Sequence, residues 1–305
     1  MERLFQISHY VEQTQHQRSG LCSAAVEVAA RIGQANTSLT PAERRVAEVV
    51  LVRPQLVAFG TVAELAEASG AGAATVVRLA TKLGYDGFTM LQASVQDHLA
   101  RQLRPAAERI RQPAGSDPIQ RHLQIELDNV RASVEALPPA GLHEVVRRLA
   151  DLSSKVYVLS GDASLGVARQ FLADLAALRD DVTLIDGNEV SVHRQLSLLD
   201  RSATVISLDL RRYDRWLVEA ARRVNASGAY LTAITDSLLS PLAAEAQQTF
   251  VVAAAALGPF DSQVGTMAVL NLIVAGVADH LRSDATERLD RAEAAWTASG
   301  ALTDR

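Results

Sequence analysis

The stretch that most constrains this chain is residues 61–88, TVAELAEASGAGAATVVRLATKLGYDGF. It encodes two short helices and a tight turn. Val62, Leu65 and Ala66 fall at i, i+3 and i+4, which is one apolar helical face. Thr61 with Glu64 makes a T-x-x-E capping box, satisfying two free N–H groups at a helix start. Gly70 tolerates the left-handed backbone that ends a helix. After Ala71 and Gly72, a second stripe of Val76, Leu79, Ala80 and Leu83 marks another helix, closed by Gly84. Thr75, Arg78 and Lys82 lie off that stripe and are expected to face outward. Two helices joined by a short Gly-containing turn fit a helix-turn-helix, whose second helix enters the DNA major groove. On pattern alone they fit a plain helical hairpin equally well.

The residues of the second helix separate these readings. Residues 74–88, ATVVRLATKLGYDGF, resemble the recognition-helix signature of RpiR-type bacterial transcriptional regulators, S-x-A-T-V-x-R-x-x-K-L-G-[FY]-x-G-[FY]. The resemblance implies double-stranded operator DNA as a partner. Thr75 and Arg78 are expected at the groove, with Ala73, Ala74 and Lys82 beside them. Arg78 carries the fork that can grip guanine in a bidentate contact. In the family an arginine at this place can instead pin the helix to its own domain or to a phosphate. The chain departs from the pattern at Ala71-Gly72, where the family usually has Val-Ser. Glycine is an acceptable N-cap but brings no side-chain oxygen.

Composition narrows the rest. The 305 residues leave room for two domains. Aromatics make up only 4%, so the core must be built mostly from Ala, Leu and Val. A net charge of −5 argues against a general nucleic-acid binder, yet a sequence-specific regulator needs only a local basic face. That face is thin, with Arg44, Arg45, Arg53, Arg78 and Lys82 set against a similar number of acids. Dimerisation is therefore expected, as a homodimer or higher homo-oligomer. The lone cysteine, Cys22, excludes an internal disulfide and a Cys-based metal site. His122, His143, His193 and His280 show no metal-ligand spacing, so neither metal nor cofactor is expected. No stretch has the apolar length to span a bilayer. The opening MERLFQISHYVEQTQ is unlike a secretory signal. A cytoplasmic protein without a membrane partner is expected.

Taken in order, residues 1–20 read as a loose arm and 21–34 as a short helix. Thr40-Pro41-Ala42-Glu43 is a strong helix start, and Pro54 closes that helix. A helix over 88–110, bent at Pro105, completes an all-helical domain at 36–103. Residues 104–139 read as a linker and connecting helix, with Pro138-Pro139 breaking the chain. From Lys155 the pattern alternates strand and helix. Strands are expected at 156–160, 182–185, 203–209, 229–235 and 249–254. They are apolar on both faces, which means a parallel sheet covered on both sides. The fold class is therefore α/β: a helix-turn-helix domain, then a doubly wound, five-stranded, flavodoxin-like sandwich over 140–283. Residues 284–305 read as a charged helical tail.

Ligands of such sheets bind beyond the carboxyl ends of the strands. Ser160-Gly-Asp-Ala-Ser164 belongs there, and Ser164 sits at a helix N-terminus that attracts anions; it serves equally well as a simple cap. SGDASLGVA is similar to the G-x-G-x-S loop of SIS domains, the sugar-phosphate isomerase and binding fold. Residues 234–243, ITDSLLSPLA, resemble that family's I-T-D-x-x-x-S-P-L-A, and Ser262 its later serine. The resemblance implies a phosphorylated-sugar sensor that dimerises. Gly161, Asp162, Ser164, Asp209, Arg211, Arg212, Thr235, Ser240 and Ser262 are the expected ligand residues. Asp162 replaces a common glycine, and Asp209-Leu-Arg-Arg-Tyr213 replaces the usual S-x-S-G. Arg211 and Arg212 can hold phosphate by charged forks or form ion pairs of little energetic effect. Glu189 and His193 have the chemistry of a base and an acid, and equally that of a helix cap or a solvated pair. The reading is a metabolite-controlled DNA-binding regulator that is not an enzyme. The alternatives are a sugar-phosphate isomerase with a fused helical domain, and a helical oligomerisation module.

Overall fold

The computed structural model describes residues 38–102, 106–109 and 117–301, with residues 28, 31–33 and 35 ahead of them. The expected arm at 1–20, most of the 21–34 helix and most of the linker lie outside the described residues.

The first domain is a stack of helices: α1 (Pro41–Val52), α2 (Pro54–Phe59), α3 (Val62–Ser69), α4 (Ala73–Lys82) and α5 (Gly87–Gln102), then a single turn, α6 (Ala106–Arg109). The helices begin where the sequence supplies caps. Thr40 with Glu43 and Thr61 with Glu64 both close full capping boxes. Pro41 and Pro54 occupy first helical positions, where the missing N–H removes no intrahelical bond. Gly70 ends α3 at φ +59°, a conformation that favours glycine. Val46, Val50, Leu65, Val76, Leu79 and Leu91 are fully buried in the domain's core.

Next come α7 (Pro118–Glu135) and α8 (Pro139–Leu149). Pro139 starts α8 instead of breaking the chain, because proline at the first turn is preorganised for a helix. The sheet is formed by β1 (Val156–Ser160), β2 (Val182–Leu184), β3 (Thr204–Leu208), β4 (Tyr230–Thr235) and β5 (Gln248–Val251). All neighbours are parallel, in the order β2-β1-β3-β4-β5. The intervening helices are α9 (Leu165–Leu178), α10 (Glu189–Leu196), α11 (Arg215–Ser227) and α12 (Pro241–Glu245), followed by α13 (Val264–His280) and α14 (Arg282–Ser299).

Side-chain alternation divides the sheet between two cores. Val156, Val158, Ile206, Leu208 and Ile234 pack with α8, α9 and α13. Leu159, Val205, Leu231 and Ala233 pack with α10, α11 and α12. Helix α7 lies tightly on α13, where a Cβ at Gly265 would come within 2.5 Å of both Ser133 Oγ and Ala253 O. Asn129 fixes that contact, donating to Ala255 O at 2.8 Å and accepting from Ala255 N at 3.0 Å. One residue of the sheet domain lies in the other core: Leu239, between β4 and α12, is buried in the apolar cluster of the helical domain, with Leu238 packed against it. Among the described residues no single helix is long and apolar enough to cross a membrane.

Candidate nucleic-acid interface and effector site

Helix α4 is the second helix of the helix-turn-helix. Val76, Leu79 and Ala80 bury one face. Ala73, Ala74, Val77, Arg78, Thr81 and Lys82 are exposed. Thr75 corrects the expectation of an outward side chain: it is only 7% exposed, and its hydroxyl accepts from Arg78 Nη2 at 3.0 Å. The reason is helical geometry, since Thr75 lies four residues before Leu79 and shares its face. Val77 and Thr81, which lie between the buried positions, hold the outward face instead. Gly72 caps α4 with no side-chain bond.

The nearby cations are largely committed to the fold. Lys82 Nζ donates to Glu43 Oε2 at 2.9 Å and to Ser38 O at 2.5 Å, tying α4 to the first turn of α1. Glu43 is held below the usual carboxylate range, first by the Thr40 N–H it accepts and further by Lys82, against the effect of burial. Arg45 donates to Ser69 O and Gly70 O, closing the carboxyl end of α3. Arg31 does the same for α4 at Leu83 O and Gly84 O, while stacking on Tyr85. Arg78, bonded to Thr75 one turn back, is an exposed cation on the outward face of α4.

At the carboxyl ends of the strands, the β1 and β3 loops are bonded to each other. Asp209 packs against Gly161, where a Cβ would meet its Oδ1 at 2.4 Å. Its Oδ2 accepts from Asp214 N at 2.8 Å, and Asp214 Oδ2 in turn accepts from Asp162 N at 2.9 Å. Burial pushes the Asp209 carboxyl up to about 7, with the charges of Asp214 and Asp236 acting in the same direction against two backbone donors. Of the two roles open to Arg211, the structure shows the ion pair: its partner is Asp261, and neither Asp209 nor Asp162. Its backbone neighbour Arg212 has φ +68° and is exposed. That left-handed residue reverses the chain, so that Arg211 and Tyr213 turn inward while Arg212 faces water. The Tyr213 hydroxyl donates to Asp236 Oδ1 at 2.7 Å, and Thr235 and Ser240 border the same phenol. Burial raises both groups, the phenol well above its ordinary value.

The comparisons with known proteins fit this architecture. Residues 26–102 match the helix-turn-helix domain of the rpiR family, and residues 152–276 match the SIS domain. An HTH-type transcriptional regulator of Haemophilus influenzae is 27% identical over 226 residues, covering 72% of this chain and 78% of the relative. Another, from Caldanaerobacter subterraneus, is 23% identical across 87% of this chain and 95% of its own length. This chain carries the two domains of an RpiR-type regulator. The RpiR transcription factor of Sphaerobacter thermophilus (sugar isomerase domain) shares the fold at TM-score 0.55 and 24% identity, covering 59% of this chain and 99% of its own. The Vibrio vulnificus NanR protein complexed with ManNAc-6P shares it at TM-score 0.52 and 16% identity, over 89% and 98%.

In this RpiR-type chain, the expected ligand residues are only partly convergent. Gly161, Asp162 and Asp209 meet, and Thr235 and Ser240 gather around Tyr213. Ser164 is buried without capping α9 and instead accepts from Gln263 Nε2 at 3.2 Å. Ser262 turns away to α7, where it donates to Glu126 Oε2 at 2.5 Å. Ser240 caps α12 at Leu242 N. Asp214, Tyr213, Asp236 and Asp261 are the polar residues that sequence reasoning passed over. Three of them sit beside a residue it had chosen, and Asp214 lies two from Arg212. The acidity of the three aspartates was the available signal.

Proposed function

We propose that this RpiR-type transcriptional regulator binds its operator as a homodimer and is switched by a small metabolite held at the SIS sheet. On this reading residues 36–103 bind DNA, 104–139 connect, 140–283 sense, and 284–305 form a helical tail. The observation that carries the DNA-binding part is the division of α4. One face is locked into the core, and Ala73, Ala74, Val77, Arg78 and Thr81 point to solvent beside a minimal cap at Gly72. Lys82 supports that surface by holding α4 to α1.

Two observations support dimerisation. So many cations are tied to the fold that one domain offers few phosphate contacts, and phosphate contacts dominate affinity. Helix α7 also presents Ile119, Leu123 and Leu127 to solvent at four-residue spacing, with exposures of 77%, 50% and 52%. A second copy of the chain, seated on that stripe, would place two helix-turn-helix units for a palindromic site.

The effector reading rests on the fold, since open parallel sheets bind ligands where strand order reverses, here between β1 and β3. NanR is complexed with ManNAc-6P, which makes a sugar or sugar phosphate the inherited expectation. Fluorescence anisotropy with labelled fragments from around its own coding region tests the regulator reading. Tight, sequence-selective and steeply salt-dependent binding is expected; equal affinity for every fragment would refute it. A coupled turnover assay with hexose and pentose phosphates addresses the isomerase alternative, and no turnover is expected.

A further inference from the structure

The loop that cradles an anion in folds of this kind is already filled here by the chain itself. A helix N-terminus offers free N–H groups to a phosphate, but Asp162 N is bonded by the Asp214 carboxylate. Asp209 occupies the space in front of Gly161. A phosphate at this place would have to displace one carboxylate and lie beside another.

An open cavity of about 470 Å³ lies next to that loop, between α10 and α11. This is within the usual range for small-molecule sites, roughly 300–1,000 Å³. Leu184, Ile185, Val192 and Leu196 line it, so its body is apolar. Trp216 and His193 supply a ring face and a polar contact. His193 Nδ1 is buried with no hydrogen-bond partner among the described residues, and its Nε2 stands 3.5 Å from Glu189. The carboxylates of Asp162, Asp186, Glu189 and Glu219 also border the cavity, and among the described residues no lysine or arginine lines it. Arg169 reaches Asp186 at 3.9 Å, and Arg222 and Arg223 approach Glu219 at 3.3 and 3.9 Å, offsetting part of this charge from outside.

We propose that the effector of this regulator is an unphosphorylated molecule with an apolar, ring-bearing body seated against Trp216 and His193, carrying a neutral or cationic polar group. The assignment rests on the effector-controlled reading above and names its ligand class. Three features act together. The phosphate position is occupied from within, the vacant volume is lined by aliphatic and aromatic side chains, and the bordering carboxylates repel an anion while favouring a cation or a hydrogen-bond donor. An ammonium over the indole face would gain further attraction.

The test uses Trp296→Phe in the full-length protein, which leaves Trp216 as the sole tryptophan. Its emission is titrated with phenethylamine, 2-phenylethanol and phenylacetate, which share one ring and differ in charge, and with glucose 6-phosphate and ManNAc-6P. Saturable changes are expected with the amine or the alcohol, binding by phenylacetate at least about tenfold weaker, and no response to the phosphates. Calorimetric titration of His193→Ala, whose melting temperature should match the parent, is expected to show about a tenfold loss for the same probe. The assignment is overturned if the amine and the alcohol both leave the emission unchanged up to about 10 mM, or if a hexose phosphate binds more tightly than they do. It is also overturned if His193→Ala binds as the parent does. Operator binding is measured on the same samples. Its absence defeats the regulator reading whatever the titration shows; operator release by a hexose phosphate defeats this assignment alone.

Discussion

Asp209 offers the sharpest physical test. Its carboxyl is 4% exposed and lifted from the ordinary 3.8 to about 7, so in the folded protein it retains a proton that the unfolded chain releases near pH 4. Over pH 4–7 the native state therefore binds one more proton than the unfolded state, and stability falls as pH rises. The contribution is fully present below the unfolded value and is lost as pH passes through about 7. The two ends of that window differ by about 4 kcal/mol, at about 1.4 kcal/mol per pH unit. Asp209→Asn removes the ionisation while keeping an oxygen to accept from Asp214 N, so the variant should escape the loss. For a chain of this size the gap corresponds to a difference in melting temperature on the order of 10 °C at pH 8. Scanning calorimetry of both proteins from pH 4 to 8 provides the reading. Asp236, also raised, contributes the same sign in both and largely cancels in the difference. A gap that stays constant across the series would show that Asp209 is ionised in the fold and that burial does not govern it.

Other expectations follow from the contacts. Arg78→Ala should weaken operator binding by about 1–3 kcal/mol and relax preference at one base pair, whereas Lys82→Ala should chiefly lower the melting temperature by freeing α4 from α1; anisotropy and calorimetry on the pair separate these roles. Leu123→Glu with Leu127→Glu should shift light scattering toward the monomer and lower operator affinity, with the monomer's circular dichroism unchanged. Tyr213→Phe keeps the ring and loses the bond to Asp236. It should bind both operator and effector like the parent, yet show a smaller effect of one on the other.

Much of this fold was legible because local chemistry and global packing agree. Both capping boxes formed as spelled, and all five strands lie within the stretches where apolar runs had placed them, apart from the first residue of β5. The helix that the apolar pattern places around 192–199 starts earlier, because a cap outranks that pattern. Helix α10 begins at Glu189 because Asn188 Oδ1 accepts from Ser191 N at 2.9 Å. The site was less legible, since its pairings join distant segments. Nothing near Arg211 in sequence announces that its partner is fifty residues on, at Asp261. Arg179 illustrates the same limit. It reads as an ordinary charged residue after a helix, yet it is 1% exposed, with its guanidinium donating to the carbonyls of Leu149, Asp151, Ser154 and Asp180. Only a fold that closes around those carbonyls makes its burial affordable.

The contacts also offer a route by which an effector could reach the DNA-binding unit. Trp216 lies in the first turn of α11, three residues after Tyr213. Tyr213 holds Asp236, and three residues further on Leu239 is buried in the helical domain's core. The segment around Leu239 is bonded within itself: Ser237 Oγ accepts from Leu239 N at 3.0 Å and Ser240 Oγ from Leu242 N at 3.2 Å. A displacement of α11 would have a bonded path to Leu239 through Tyr213 and Asp236. Burying one leucine side chain is worth about 1.5–3 kcal/mol, and allosteric coupling free energies are typically about 1–3 kcal/mol. Withdrawal of this single side chain would thus be large enough to account for the whole response. Because an effector shifts the equilibrium only by its differential affinity for the two arrangements, one that fits the cavity equally well with Leu239 buried or withdrawn would bind without regulating. On that reading the selectivity of the switch would reside in how the ligand positions α11, and not in how tightly the cavity holds it.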